Sequence, residues 1–143
     1  MKRTLLIALL LVCNFAGYLF AQKLTPQAVP PAVRSELMRR YPDAGKATWE
    51  KRGANYQSHW GGKINKDNSA LFTPASAFIS MSNPTDVKFL PIAIKSYVQV
   101  HYHTPIVSAA KAVNNIGKIT YEIKIAGNKY LIFNSEGRFL KAE

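Results

Sequence analysis

Val29-Pro30-Pro31-Ala32-Val33-Arg34-Ser35-Glu36-Leu37-Met38-Arg39-Arg40-Tyr41-Pro42 decides how this chain is read, because much of it is written twice. Sixty-one positions later stands Leu90-Pro91-Ile92-Ala93-Ile94-Lys95-Ser96-Tyr97-Val98-Gln99-Val100-His101-Tyr102. Val29-Pro30 answers Leu90-Pro91, Ala32-Val33 answers Ala93-Ile94, and Tyr41 answers Tyr102. The same offset returns downstream, where Phe72 matches Phe133 and Phe78-Ile79 matches Phe139-Leu140. An offset held at both ends of a unit is the mark of a tandem duplication, and it takes precedence over any local reading. Within the first copy the two prolines suit an opening helical turn, where a missing N–H costs nothing. Val33, Leu37 and Tyr41 then recur at helical spacing, and Pro42 closes the segment, since the residue before a proline avoids the helical region. Ile94, Val98 and Tyr102 carry the same stripe in the second copy. Both stripes are read as core.

Outward from each helix the period changes to two. Lys23 to Ala28 is a polar lead-in. Trp49 opens a strand, Gly53-Ala54-Asn55 turns it, and Tyr56, Ser58 and Trp60 alternate with Gln57 and His59. Gly61-Gly62-Lys63 makes a turn, and Lys66 to Ser69 a polar loop or hairpin tip. Ala70-Leu71-Phe72 and Ala77-Phe78-Ile79 read as two further strands. In the second copy Ser108 to Val113 is the first strand, and Tyr121, Ile123 and Ile125 alternate with Thr120, Glu122 and Lys124. Lys129 to Asn134 and Arg138 to Lys141 complete the set. The fold class is therefore α+β, a duplicated unit of one helix followed by about four antiparallel strands. Residues 22–84 form the first repeat and 85–143 the second. No helix is needed between strands, which excludes the dinucleotide-binding folds.

The front of the chain gives an address. Lys2 and Arg3 precede an almost wholly apolar run from Thr4 to Phe20, which reads as a secretory signal peptide over residues 1–21, cleaved near Ala21. No stable membrane span is expected after its removal. Cys13, the only cysteine, lies within that run, so the exported chain would have no disulfide, thiolate metal site or cysteine nucleophile. Setting aside Lys2 and Arg3, 17 of the 19 basic residues face 8 acidic ones, a balance of +9. Such a charge attracts anions in general, although the basic residues are scattered along the chain.

One family is carried by residues from both copies. Val29-Pro30, Tyr41-Pro42-Asp43-Ala44, Trp49-Glu50, and Tyr56 with Trp60 come from the first copy. Leu90-Pro91, Tyr102, Tyr121-Glu122-Ile123 and the run from Phe133 to Leu140 come from the second. In this combination and order the chain resembles the PepSY-like exported proteins, related in fold to the beta-lactamase inhibitory protein. The resemblance spans nearly all of the chain after residue 21. It implies two helix-plus-sheet units whose sheets join into one curved sheet with the helices on one face, a periplasmic location and no known catalytic activity. Members usually carry an aspartate or glycine at the turn matched here by Thr73-Pro74-Ala75-Ser76, and this chain departs from them there.

Catalytic chemistry is thinly represented. No Gly-x-Ser-x-Gly elbow, His-Glu-x-x-His or phosphate-cradling glycine loop occurs, and no close Asp/Glu pair suits glycoside hydrolysis. His101 and His103, two apart at a helix end, point in different directions and make a poor metal pair. The chain is thus expected not to be an enzyme and to need no cofactor or metal. Its chemistry lies on the polar sheet face and the adjoining turn, where Gln57, His59, Trp60, Lys63, Glu122 and Lys124 are the candidate interaction residues. Trp49 and Tyr121 are read as core, and Trp60 as either core or surface because it ends its strand beside Gly61-Gly62. The expected partner is a periplasmic or envelope protein, or alternatively an anionic polymer, envelope surface or other anionic ligand. Nucleic acid is not expected, since no clustered arginine–aromatic platform appears. A lipid or small-molecule carrier between helices and sheet is a third reading.

Overall fold

The structure, a computed structural model, describes residues 22–63 and 65–143; residues 1–21, read above as a signal peptide, lie outside the described residues. The two helices fall where the stripes place them, α1 at Pro31–Arg40 and α2 at Ile92–Tyr102. Tyr41 follows α1 in a non-helical conformation, and α2 ends on His103 in the left-handed region. Among the described residues no helix is long and apolar enough to cross a membrane.

Among the described residues nine strands form one antiparallel sheet in sequence order: β1 Lys23–Leu24, β2 Thr48–Arg52, β3 Asn55–Trp60, β4 Asn68–Phe72, β5 Phe78–Pro84, β6 Ile106–Asn114, β7 Ile119–Ile125, β8 Lys129–Asn134 and β9 Phe139–Ala142. There is no crossover, as expected where every connection is a hairpin or a helix returning to the next strand. β5 pairs directly with β6 from Ser80↔Asn114 to Pro84↔Ala110, so the two halves share one continuous sheet. Several details differ from the sequence reading: Asn55, read as part of a turn, opens β3, and Asn68 and Ser69, read as part of a polar loop, open β4, where they continue the ladder with β3. The lead-in contains β1, too short to show a period of its own, which pairs with β2 through Leu24↔Trp49. The strand expected at residues 77–79 continues to Pro84, since the β6 edge extends its ladder.

Register fixes which side chains share a face. Trp49↔Ser58, Ser58↔Ala70 and Tyr56↔Phe72 put one set together, and Lys51 joins it through Tyr56. This face meets α1, where Val29, Val33, Leu37, Trp49, Trp60, Ala70 and Phe72 form a buried cluster. The second cluster joins Leu90, Ile94 and Val98 to Ala109, Ile123, Ile125, Leu131 and Phe133 under α2. Met81 on the first half pairs with Val113 on the second, and Val113 shares parity with Ala109, so both helices cover the same face of the sheet. Residues related by the 61-residue offset hold corresponding places: Val29 and Leu90, Val33 and Ile94, Leu37 and Val98, and Phe72 and Phe133 are all buried.

The opposite face closes on itself. Arg52 of β2 reaches Glu122 of β7 at 3.2 Å and Glu143, just past β9, at 2.7 Å. Its guanidinium also lies 4.9 Å from the Tyr130 ring centroid on β8. Contacts between strands so far apart in the sheet order require a strong curl, in the sense expected of a twisted antiparallel sheet. The face away from the helices is therefore the inside of the curl. Gln57 is 4 % exposed, and Ser69, Ser80 and Ser82 are buried with it.

Candidate functional site: the concave groove

The curl encloses a groove of about 400 Å³, within the usual size range for small-ligand sites. Its floor is built by cross-strand neighbours. Gln57 stands opposite Glu50 on β2 and Leu71 on β4, while His59 stands opposite Thr48 and Ser69. Side chains opposite one another on a sheet face are close enough to interact directly, so Glu50, Gln57, His59 and Ser69 form one contiguous polar patch. Lys23 joins its edge by pairing with Glu50. Across the groove stand Glu122 and Lys124 of β7 and Tyr130 of β8, with Ala109 and Ala110 of β6 between.

The polar groups are ordered by short contacts. His59 lies between two carboxylates, Nε2 at 3.0 Å from Glu50 Oε1 and Nδ1 at 3.3 Å from Asp67 Oδ2. Asp67 comes from the β3–β4 loop, whose tight path depends on Gly62: a Cβ there would strike the Lys66 carbonyl. Gln57 Nε2 donates to Ser69 Oγ at 3.1 Å, while its buried Oε1 has no partner. Lys124 Nζ has one hydrogen bond among the described residues, to Asn65 Oδ1 at 3.4 Å. Four of the eight carboxylates of this basic protein, those of Glu50, Asp67, Glu122 and Glu143, gather on the concave face.

Burial and charge tune these groups. Burial pushes the Glu50 carboxyl up, but the His59 hydrogen bond, with the positive charge of His59, Lys124 and Arg52, outweighs it and leaves Glu50 below its ordinary 4.5. Glu143 follows the same pattern, burial being overcome by Lys141 and Arg52. The Tyr130 hydroxyl is pushed up to about 12, first by burial and then by the nearby Glu50 carboxylate, so it remains a neutral donor at neutral pH. Because the two carboxylates are depressed in the folded state, the stability they add is fully present above pH 4.5 and lost as pH falls through the folded values. We therefore expect a urea midpoint that is level from neutrality to about pH 5 and declines below it, with Glu50→Gln reducing the decline. A midpoint unchanged down to pH 3 would show that these contacts do not contribute.

The structure sorts the candidate interaction residues into two groups. Gln57, His59, Glu122 and Lys124, from both halves of the chain, come together as groove lining. Trp60 is corrected to core: its alternation with Gln57 and His59 turns it to the helix side, where it is 7 % exposed and its ring lies 5.1 Å from that of Tyr41. Lys63 sits exposed in the turn after β3, outside the groove lining. Arg52, Asp67 and Tyr130 were missed. Arg52 shares parity with Glu50, which signals the polar face, but nothing local announces partners 70 and 91 residues away. Trp49 is buried and Tyr121 packs at the margin of the second cluster, both on the helix side.

Outside the groove the sequence features resolve into packing. His101 lies against Tyr97 with the rings tilted and their centroids 4.2 Å apart, and the following turn places His103 at the left-handed end of α2. Among the described residues no three His, Cys, Asp or Glu side chains are grouped to hold a metal ion.

No family model matches the chain, and neither does any curated relative. Solved structures do. A Bacteroides eggerthii protein described as periplasmic superposes with a TM-score of 0.59 at 16% identity, over 80% of this chain and 88% of its own. A DUF2874 family protein from Bacteroides uniformis gives 0.58 at 12% identity, again over 80% and 88%. A BLIP-like protein from Bacteroides fragilis gives 0.50 at 15% identity, over 78% and 83%. These likenesses show the fold.

Proposed function

We propose that this protein is a non-enzymatic periplasmic binding module of PepSY-like type, built from a duplicated helix-plus-sheet unit, that recognises its partner through the concave groove. The observation that carries this reading is the groove's floor, where a buried amide oxygen lacks a partner inside a polar, partly enclosed concavity. A buried polar atom without a hydrogen bond is costly in a finished core, and within a polar concavity it supports a role in binding. The periplasmic address rests on the basic head and apolar run over residues 1–21 and on the company the fold keeps. One similar structure is described as a periplasmic protein and another as BLIP-like.

The geometry favours binding over catalysis. Ser69 faces the same groove as His59 and would be the natural nucleophile of a Ser–His–acid set. Such a set needs one ring nitrogen on the hydroxyl and the other on a carboxylate. Here both nitrogens of His59 are held by carboxylates, leaving none to take a proton from Ser69. The groove offers charged and polar anchors in fixed places, without an activated nucleophile.

The test is affinity capture from a native periplasmic and envelope extract, washed at low and then high salt. His59→Ala combined with Lys124→Ala is expected to abolish capture of a salt-resistant partner while leaving the far-UV circular dichroism unchanged. Undiminished capture by this variant would remove the groove as the recognising surface. A second reading follows from the placement of charge. With half of the carboxylates drawn inside the curl, the outer surface is left with most of the positive balance, which suits an anionic polymer or envelope surface. That reading requires binding that falls steeply with salt and is indifferent to the groove variant.

A further inference from the structure

Two groups on opposite walls of the groove are left with unspent hydrogen-bonding capacity, and they are of opposite kind. On the β3 wall, Gln57 Oε1 is an acceptor with no donor, beside the Glu50 and Asp67 carboxylates that flank His59. On the β7 wall, the Lys124 ammonium carries three N–H donors and spends one on a 3.4 Å contact to Asn65. Of the other cations on this face, Arg52 is committed to Glu122 and Glu143, and Lys23 stands at the edge of the β3 wall opposite Glu50. The β3 wall therefore presents an open acceptor beside two carboxylates, their charge offset by His59 and by Lys23 at its edge, while the facing wall presents the free donors of Lys124.

From this polarity we infer that the groove takes a small zwitterion, an α-amino acid or short peptide with free termini. Its ammonium lies against Gln57 Oε1 and Glu50, and its carboxylate against Lys124. A cation alone would meet Lys124 as a like charge, and an anion alone would meet Glu50 and Asp67. A ligand bearing both charges satisfies both walls. A ligand of the size of a dipeptide falls within the groove's volume of about 400 Å³. Pro84 at its margin supplies apolar surface for a short side chain.

The inference rests on the groove being the binding surface, and its test needs no partner, so the two can fail separately. The purified protein is titrated with L-alanyl-L-alanine, its N-acetylated form, its C-terminal amide and free L-alanine. Binding is followed by NMR through the Gln57 side-chain amide and the Lys124 ammonium-end signals. The free dipeptide is expected to give saturating shifts confined to the groove, and removal of either charge to weaken binding at least about tenfold. Lys124→Met should weaken the free dipeptide by a similar factor yet leave the amide-capped form unaffected. Gln57→Leu tests the other wall, and Lys124→Met stands without it if that variant does not fold. Saturable binding of L-alanine as tight as that of the dipeptide assigns the site to amino acids; tighter dipeptide binding assigns it to peptides. Equal binding of the capped forms, or no saturable shift at about 10 mM of any probe, overturns the inference. Capture of a partner protein that survives such a result would leave the binding-module reading intact.

Discussion

Phe133→Ala is expected to lower the unfolding free energy by about 4 kcal/mol, the range seen when a fully buried aromatic is truncated to a methyl group. Phe133 has no exposed surface. Its ring meets Tyr97 of α2 at 5.4 Å and Phe139 of β9 at 5.7 Å, both edge-on, while Tyr97 and Phe139 stack at 4.7 Å. Removing the central ring opens a cavity and breaks two edge-to-face contacts together. In urea the midpoint should drop by on the order of 2 M. The choice of probe makes the result say more. Both tryptophans, Trp49 and Trp60, belong to the first cluster, and Phe133 belongs to the second. Tryptophan fluorescence therefore reports on the half of the molecule that the substitution does not touch. Because β5 and β6 join the halves in one ladder, fluorescence and circular dichroism should shift by the same amount in a single transition. A fluorescence midpoint left at its wild-type value would mean that the halves unfold independently.

Much of this architecture can be read in the chain, and the reasons differ from element to element. The helix stripes are legible because Val33 with Leu37 and Ile94 with Val98 repeat at a spacing that only a helix turns to one side. The strand faces are legible for a similar reason: parity alone puts Gln57 with His59 and Glu122 with Lys124. That same parity assigned Trp60 to the helix side, and the glycines beside it argued misleadingly for exposure. The curl is a different matter. It accumulates from small twists over nine strands and from the bulges at Leu71/Phe72 and Ile106/Ser108, and no window of sequence displays it. Without the curl, the polar face reads as open, and Glu50, Asp67 and Arg52 read as solvated charges. With it they become the walls of a groove. The site is thus a tertiary property made from residues whose individual faces are plain.

Arg52→Leu is the second large effect we expect, a loss of about 3 kcal/mol, because it strands partners that the curl has removed from water. The Arg52 side chain is 16% exposed and that of Glu122 is 11%. Breaking a pair buried to this degree leaves an uncompensated carboxylate, which costs more than the pair itself contributes. Glu143, 34% exposed, is wetter and adds little to the total. The distinction has a measurable form. Glu122→Leu alone should also destabilise, leaving Arg52 with the wetter carboxylate only. The double variant Arg52→Leu with Glu122→Leu should recover at least half of the loss, since two apolar side chains of suitable size bury without penalty. Strict additivity of the two single losses would show that the residues do not act as a pair. The consequence reaches the groove, because Arg52 is the tie between β2 and the far strands, and His59 and Gln57 sit on the strand next to β2. Cutting the tie should let the curl relax and admit water to Gln57, so that its side-chain amide protons exchange faster in Arg52→Leu. In the double variant that exchange should slow again, to the extent that apolar contact holds β2 against β7. Fast exchange persisting in a variant of restored stability would separate the two roles of Arg52 and assign the shape of the groove to its charge.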